Sequence, residues 1–394
     1  MNNKKIRIGL FGYGCVGQGL HDVLNNSKGF KADIIKICVK DRAKPRRIDM
    51  SHFTFDKNDI LNDPEIDLVV ELIDDAEEAY NIVTTAMKKG KNVVTANKRM
   101  VSCNLKELVE LQQEYGVSLL YEASACASIP IIRNLEEYYD NELLNSLRGI
   151  FNGSTNYILT EMYNNGADFD EVLRKAREKG FVETDPTLDI DGWDAKYKLN
   201  IITLHAYGLL MDPGEVFNYG IRQVNRFDIK YAREKGYKIK LVPYVGKTDD
   251  NTITSYVLPR FISRDKYLYG VDNEYNGVIA EAAFADRQFF YGKGAGGHAT
   301  GCAVLSDISA NSYNYKYEYK KREQRVVTRY TRNTELEIYF RYRDDNDMKK
   351  LRFNEITESF VGKEYKYVIG TVNLERLYDL REELPDINGF IVVI

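Results

Sequence analysis

Few of the residues that build metal centres and disulfide frameworks are present in this chain. Among its 394 residues there are only four histidines, and the five cysteines are odd in number. The cysteines are scattered and form no CxxC pair, so neither a zinc-like cluster nor a disulfide framework is expected. They are expected to be reduced thiols, which predicts a cytoplasmic protein.

Long apolar runs and an excess of one charge are also missing. No apolar run approaches the roughly 20 residues that cross a bilayer, and no signal peptide is expected at the N-terminus. The net charge of -4 gives no general attraction to nucleic acid or to anionic membranes, and neither partner is expected. The hydrophobic content of 44% is typical of a globular protein, and the length predicts two or three domains.

What the chain does have is a glycine-rich turn close to its start. An apolar strand predicted over residues 6–11 leads directly into the sequence GYGCVG, and helical spacing follows. Strand, GxGxxG and helix in this order are typical of a dinucleotide-binding turn. The first glycine would form the tight turn, the second would admit the pyrophosphate, and the third would let helix and strand pack closely. The residues expected at the cofactor are Gly12, Gly14, Cys15, Val16 and Gly17.

The end of the next predicted strand, residues 34–39, bears on the choice of cofactor. An acid there suits the ribose hydroxyl of NAD, whereas basic residues suit the additional phosphate of NADP. Lys40 and Arg42 follow the strand, and three more basic residues come before residue 48. This cluster favours NADP(H), although Asp41 keeps NAD(H) open. A solvated basic loop is the structural alternative.

Strands and helices continue to alternate through the first 128 residues. The predicted strands at 68–72, 92–95 and 118–121 are separated by helices, which indicates a Rossmann-type, doubly wound parallel sheet, completed by residues of about 300–318. Such sheets bind ligands beyond the carboxyl ends of their strands. Thr95 and Lys98 lie at one of these ends, so both are predicted to face the ligand. A surface lysine opening the next loop is the alternative for Lys98.

After about residue 128 the pattern changes. Residues 129–299 mix helices with a strand-rich part, which predicts an α+β domain for substrate binding, catalysis and dimerisation. A glycine-dense loop at 292–301 could close over a nicotinamide, and Gly296 is expected to contact the cofactor. Residues 320–394 form a smaller α+β region, for which a regulatory or interfacial role is expected.

One carboxylate and one lysine on a predicted helix over residues 191–209 attract attention. Asp194 and Lys198 are four residues apart, so they would be neighbours on one helix face. A lysine held by a carboxylate at a helix start could donate a proton to a carbonyl compound. An ordinary surface ion pair is the alternative for this spacing.

Eight segments between residue 6 and about residue 310 form a recognisable series. They are Gly12–Gly17, Val94–Lys98, Tyr121–Ala123, Ile129–Ile132, Asn152–Leu159, Glu183–Pro186, Asp189–Asp194 with Lys198, and Gly294–Gly296. Taken in this order, they resemble the motifs of the homoserine dehydrogenase family. The resemblance implies reversible reduction of L-aspartate 4-semialdehyde to L-homoserine by NAD(P)H, on the route to threonine, methionine and isoleucine. It also implies a homodimer or a higher homo-oligomer.

The same resemblance implies roles for individual residues. Glu183 and Asp189 would hold the ammonium group of the substrate, and Asp194 would orient the reacting groups. Lys198 and Lys98 would serve the chemistry, because a lysine ammonium stabilises the negative charge that hydride transfer leaves on the carbonyl oxygen. The pocket would also be lined by Gly153 and Ser154. The family's sodium site would consist of Glu122 and the carbonyls of Ala125, Ala127 and Ile129.

The chain departs from the family pattern at three places. The family usually has two glycines where this chain has Ala127 and Ser128, and a proline where it has Ala299. The C-terminal region lacks the Pro-Gly turn of the amino-acid-sensing ACT domain, so a degenerate ACT-like region is expected. These departures keep two alternatives open: a catalytically silent NADP(H)-binding regulator, and a Rossmann reductase of another amino-acid aldehyde.

Overall fold

A computed structural model of the chain describes residues 5–29, 32–182, 184–249, 251–324 and 327–394. These residues form two compact units. Unit 1 contains the described residues of Met1–Asp140, Leu204–Ala206 and Lys293–Lys320, and unit 2 contains those of Asn141–Thr203, Tyr207–Gly292 and Lys321–Ile394. In the described part of the chain, no helix has both the length and the apolar character needed to span a membrane.

Strands and helices are distributed over the whole chain. The strands are β1 (Ile6–Phe11), β2 (Ala32–Cys38), β3 (Phe53–Thr54), β4 (Leu68–Glu71), β5 (Asn92–Thr95), β6 (Leu119–Leu120), β7 (Leu144–Ile150), β8 (Phe217–Asn218), β9 (Tyr237–Lys247), β10 (Thr252–Ser263), β11 (Tyr275–Ala282), β12 (Asp286–Lys293), β13 (Arg329–Tyr330), β14 (Glu335–Tyr342), β15 (Glu355–Val361), β16 (Lys366–Asn373) and β17 (Phe390–Val393). The helices are α1 (Cys15–Asn26), α2 (Asn58–Leu61), α3 (Ala76–Lys88), α4 (Lys98–Cys103), α5 (Leu105–Tyr115), α6 (Ile131–Glu137), α7 (Gly153–Asn165), α8 (Phe169–Glu178), α9 (Thr187–Ile190), α10 (Trp193–Tyr207), α11 (Arg226–Glu234), α12 (Gly297–Asn311), α13 (Asp345–Leu351) and α14 (Leu374–Asp379).

Unit 1 is built on a six-stranded sheet with the order β3-β2-β1-β4-β5-β6. All neighbouring strands are parallel, and β4 is buried along its whole length, as expected for a strand covered on both faces. This order is that of the doubly wound dinucleotide-binding fold, in which the crevice lies where the strand order reverses, between β1 and β4. The predicted Rossmann-type sheet is confirmed.

Helix α12 packs against α1 through glycines. A Cβ placed on Gly19 would lie 2.0 Å from the carbonyl oxygen of Gly297, and one on Gly301 would lie 2.7 Å from the carbonyl carbon of Gly19. The prediction of a glycine-rich loop over 292–301 is therefore wrong for its second half, because Gly297 begins the helix. Glycine is required there by the close approach of two backbones and not by a flexible loop.

Unit 2 contains a mixed sheet of eleven strands. Nine follow the order β12-β11-β7-β9-β10-β17-β14-β16-β15, while β8 and β13 pair with β10. Strands from the predicted third region, residues 320–394, thus continue the sheet of the second region. The two regions also share one hydrophobic core, which includes Phe217 and Leu258 together with Ile338, Phe340 and Ile391. The division of the chain into three domains remains a prediction.

The predicted helix over residues 191–209 is shorter than expected. Residues 187–190 form the separate helix α9, and α10 begins only at Trp193. Gly192 lies between them with a φ of 83°, a left-handed conformation that ends one helical segment and redirects the chain. This break sets the direction in which α10 presents Asp194 and Lys198.

Candidate active site

The glycine-rich turn after β1 has the geometry that a dinucleotide requires. Gly12 has a φ of 93°, and a Cβ there would lie 2.6 Å from the carbonyl oxygen of Leu72. A Cβ on Gly17 would lie 2.4 Å from the carbonyl oxygen of Gly12, whereas nothing lies within 4 Å of the corresponding position at Gly14. The first and third glycines therefore make the turn possible, and the second leaves open space for a phosphate.

Helix α1 begins directly after this turn. Its N-cap is Gly14, which has no side chain to accept a hydrogen bond from the first turn, and the exposed Cys15 is the first helical residue. Val16 follows in the same turn. Backbone amides and the helix dipole favour an anion at such an end. The five residues predicted at the cofactor from this motif thus lie in the turn and the first turn of α1, and their contact with a pyrophosphate stays a prediction.

The basic loop after β2 lies on the surface of unit 1. The Lys40 Nζ is 3.4 Å from the carboxylate of Asp75, and the Arg42 guanidinium is 4.4 Å from the centre of the Phe55 ring. Asp41 accepts backbone N–H groups from its own loop at 2.8 and 3.2 Å. The carboxylate of Asp41 is therefore engaged by the backbone of its own loop. The side chain of Lys40, in contrast, is 75% exposed to solvent.

Glu71, a buried carboxylate at the carboxyl end of β4, is in contact with the predicted Thr95. Thr95 Oγ1 donates to Glu71 Oε2 at 2.5 Å, and the Asn97 N–H donates to Thr95 Oγ1 at 3.0 Å. Asn97 in turn caps α4, the helix that starts with Lys98. Burial raises the pKa of Glu71 to about 7. Glu71 is not among the site residues predicted from the sequence, where it lies inside the apolar strand predicted over residues 68–72.

Glu122 follows β6 and is fully enclosed by protein. Its two carboxylate oxygens accept the N–H groups of Ile132 and Arg133, each at 2.8 Å. Its own N–H donates to Asp307 at 2.9 Å, and Arg133 donates to the same carboxylate at 2.7 Å. Burial raises the pKa of Glu122 to about 8 and that of Asp307 to about 6. Two acids share one arginine here, so the place would favour an added positive charge.

The loop after Glu122 carries the other predicted ion ligands. Ala125, Ala127 and Ile129 are all buried, and an isolated bridge joins Cys126 to Ile129. One carboxylate with main-chain carbonyls is a donor set that suits a hard cation such as sodium. Among the described residues there is no group of three or more His, Cys, Asp and Glu side chains that could hold a metal. A cation here would therefore depend mainly on carbonyl oxygens.

Ala127 has a φ of 46°, in the left-handed region that favours glycine. We expect Ala127→Gly to raise the free energy of unfolding by about 1 kcal/mol, because the clash of its Cβ with the backbone is removed. Urea unfolding would measure the change. Ala125→Gly is the matched control, since Ala125 has a φ of -93° and the added flexibility should only destabilise. Equal destabilisation by both changes would contradict the expectation.

In unit 2 a buried cluster surrounds the predicted catalytic lysine. Lys198 Nζ lies 2.8 Å from Asp194 Oδ2 and donates to the carbonyl oxygen of Phe151 at 2.7 Å. The two side chains are only 9% and 6% exposed, so the alternative of a surface ion pair is wrong. The Asn152 amide donates to Asp194 at 2.9 Å and to Asp189 at 2.7 Å. Three predicted residues are thus brought together.

Asn152 is the member of this cluster that the sequence did not single out. Its Oδ1 accepts the N–H of Thr155 at 2.8 Å and so caps α7, while its Nδ2 joins the two carboxylates. An asparagine before a helix is an ordinary N-cap signal, and that signal was available in the sequence. Its second role depends on residues that are far away along the chain.

Gly153 and Ser154 begin α7 beside this cluster. A Cβ on Gly153 would lie 2.8 Å from the carbonyl oxygen of Glu274, so a larger residue would not fit. Ser154 Oγ donates to the carbonyl oxygen of Phe181 at 2.8 Å. Glu183, which was predicted to bind the substrate, lies outside the described residues. Gly296, predicted at the cofactor, is in unit 1, where it precedes α12 with a φ of 110°.

The comparisons with known proteins agree with one another. The family model described as homoserine dehydrogenase, NAD binding domain, matches residues 12–122, and the one described as homoserine dehydrogenase matches residues 130–309. The homoserine dehydrogenase of Bacillus subtilis is 34% identical, over 79% of this chain and 74% of that protein. That of Synechocystis is 37% identical, over 77% of this chain and 72% of that protein. The chain belongs to the homoserine dehydrogenase family.

Membership of this family makes the protein an NAD(P)-dependent oxidoreductase of amino-acid biosynthesis that acts on a small molecule. Solved structures agree. A homoserine dehydrogenase from Thiobacillus denitrificans has a TM-score of 0.85 and 29% identity, covering 99% of this chain and 98% of its own. A hyperthermophilic archaeal homoserine dehydrogenase in complex with NADPH has a TM-score of 0.68 and 26% identity, covering 80% of this chain and 99% of its own. The predicted family, fold class and nicotinamide cofactor are confirmed.

Proposed function

We propose that the protein catalyses the reversible reduction of L-aspartate 4-semialdehyde to L-homoserine, a step towards threonine, methionine and isoleucine. The buried cluster around Lys198 supports this proposal most directly. Its ammonium is fixed by Asp194 and by a backbone carbonyl, so two of its three N–H groups are already engaged. The third can be directed at the oxygen of a substrate carbonyl.

In this proposal a bound nicotinamide supplies the hydride. The protein side chains stabilise the charge that develops on the substrate and supply the proton. Lys198 stabilises the negative charge that develops on the aldehyde oxygen and delivers a proton to it. Asp194 orients that ammonium, and Asn152 holds Asp194 in place. Asp189 and Glu183 bind the ammonium group of the substrate, because carboxylates form strong charge-assisted hydrogen bonds with it. Lys98 is proposed as the second lysine of the chemistry.

We assign the cofactor preference to NADP(H), on the basis of Lys40 and Arg42. The expected change in the double variant Lys40→Ala/Arg42→Ala is a rise in KM for NADP(H) by about 10- to 100-fold, since hydrogen bonds to a charged phosphate are lost. The KM for NAD(H) should change by less than about threefold, since it lacks that phosphate. Lys175→Ala, an exposed lysine paired with Glu171 on α8, is the control. Equal losses with both cofactors would argue against this assignment.

Three further assignments belong to the proposal. Sodium would be held by Glu122 and the carbonyls of Ala125, Ala127 and Ile129. Residues 320–394 would form an ACT-like regulatory region, and the chain would act as a homodimer or a higher homo-oligomer. A cytoplasmic location is proposed from the five scattered cysteines, which form no CxxC pair.

Absorbance of the reduced nicotinamide tests the reaction. Purified protein would be incubated with L-homoserine and either NADP or NAD, and growth of the band would support the proposal. The silent-regulator alternative predicts cofactor binding without turnover. Aldehydes derived from amino acids of other chain lengths would test the remaining alternative, and faster reduction of one of them would replace L-aspartate 4-semialdehyde as the substrate.

A further inference from the structure

Glu71 is a buried carboxylate at the ligand-binding edge of unit 1, and the mechanism above does not use it. It is the last residue of β4 and is 0% exposed. We propose that Glu71 is a positioning residue that fixes Lys98 by holding the turn between β5 and α4. This inference rests on the proposed function, in which Lys98 takes part in the reaction.

The Glu71 carboxylate is part of a closed ring of hydrogen bonds that joins four residues. Glu71 Oε1 accepts the N–H of Ile73 at 2.6 Å, and Oε2 accepts the Thr95 hydroxyl at 2.5 Å. Thr95 Oγ1 accepts the Asn97 N–H at 3.0 Å, and the Asn97 amide donates to the carbonyl oxygen of Ile73 at 3.0 Å. The ring ties the end of β4 to the end of β5. Both oxygens of Glu71 therefore act as acceptors.

The ring also determines where α4 begins. Asn97 is the N-cap of α4, and its Oδ1 accepts the N–H of Met100 at 3.0 Å. Lys98 is the next residue and the first of the helix. A displacement of Asn97 would shift both the helix start and the origin of the Lys98 side chain. In this scheme Glu71 acts on Lys98 through the turn, by way of Thr95 and Asn97.

The position of the ring in the sheet links it to the cofactor turn. The Leu72 N–H donates to the carbonyl oxygen of Phe11 at 2.8 Å, and the Leu72 carbonyl lies against Gly12. Leu72 is thus packed on the glycine turn, while the side chain of Glu71 reaches Thr95 at the end of β5. The crevice of this sheet order lies above β1 and β4. Glu71 therefore holds the end of β4 between the glycine-rich turn and the start of α4, where Lys98 lies.

The protonation state of Glu71 matters for this ring. An ionised carboxylate accepts both hydrogen bonds, whereas a protonated one must donate from one oxygen and loses an acceptor. Burial raises the pKa of Glu71 to about 7, and the nearby charge of Asp74 acts in the same direction, against the hydrogen bonds from Thr95 and Ile73. The ring seen here is complete above that pH. Turnover that depends on Lys98 should therefore rise as pH increases through about 7.

The variant Glu71→Gln tests the inference, because it keeps the size of the side chain while its NH2 group cannot accept the Thr95 hydroxyl. We expect kcat to fall by about 100-fold, as misplacement of a reacting group by about 1 Å does, with KM for the cofactor changed less than about threefold. The rise of kcat near pH 7 should disappear. Thr95→Val removes the same hydrogen bond from the other side and should also lower kcat.

A double-mutant cycle separates positioning from general destabilisation. In a Lys98→Ala background, Glu71→Gln should slow the residual turnover by less than about threefold, because the group it positions is gone. Glu136→Gln is the control, since Glu136 is a buried carboxylate of the same unit that lies outside the ring. It should affect unfolding but leave kcat and its pH profile unchanged.

Each outcome decides between the two proposals. A Glu71→Gln protein with wild-type kcat and pH profile, or with a raised KM alone, would overturn the positioning role while the proposed reaction stands. Additive losses in the cycle would also overturn it. Should Glu71→Gln not fold, the Thr95→Val variant decides in the same way. If the wild-type protein binds NADPH but does not turn over L-homoserine, the proposed function itself fails, and the role of Glu71 fails with it.

Discussion

Lys198→Ala is expected to lower kcat by about 10³-fold or more while the Kd for the reduced cofactor changes less than about twofold. The ammonium of Lys198 lies 2.8 Å from Asp194 in a site that is almost closed to water, where a fixed charge stabilises an oxyanion far better than it would in solution. Steady-state turnover of L-homoserine and cofactor fluorescence would measure the two quantities.

A second lysine of α10 provides the matched control for this change. Lys196 is also buried, and its Nζ lies 3.6 Å from the centre of the Trp193 ring, a cation–π contact. Lys196→Ala should lower the free energy of unfolding, because the buried stem of the side chain and its contact with the Trp193 ring are lost. We expect kcat to stay within about tenfold of the wild-type value. Turnover by Lys198→Ala at the wild-type rate would remove Lys198 from the chemistry.

The largest effect on stability is expected from Gly19→Ala. The added methyl group would lie 2.0 Å from the carbonyl oxygen of Gly297, and both backbones belong to packed helices that cannot move apart freely. We expect the free energy of unfolding to fall by about 3 kcal/mol. Thermal unfolding followed by circular dichroism would show a lower Tm.

Gly14→Ala is the informative counterpart of this substitution. No atom lies within 4 Å of the new methyl group, and Gly14 has a φ of -80°, which alanine adopts easily. The cost in stability should be less than about 1 kcal/mol. The cofactor should nevertheless bind more weakly, because the methyl group occupies the space that the pyrophosphate needs. A loss of stability equal to that of Gly19→Ala would contradict this account.

Features that depend on local spacing could be predicted from the sequence. The turn at Gly12 follows from the order of strand, glycines and helix, and the alternation of apolar strands with helices gave the parallel sheet. Asp194 and Lys198 were found because helix geometry places residues four apart on one face. Their burial, however, follows from the packing of unit 2 and could not be read from the spacing.

Features that depend on distant partners could not be predicted. Glu71 is bonded to a residue 24 positions away, and Asn152 joins carboxylates 37 and 42 positions further along the chain. Nothing local distinguishes either residue from a strand end or an ordinary helix cap. For Gly297 and Gly301 the local composition gave a wrong prediction. Their glycine-rich segment is typical of a loop, but both residues belong to α12, where glycine allows the close packing against α1. This packing overrides the low helix propensity of glycine.

The continuous sheet of unit 2 makes the last 75 or so residues hard to remove or replace as a module. Strand β10 pairs with β17, and β17 in turn with β14. A chain shortened before β14 would leave an open sheet edge and would expose the core residues Phe217, Tyr256 and Leu258 to water. Such a truncation would be prone to aggregate. A ligand bound to this segment would therefore act on a sheet that also contains strands of the preceding region.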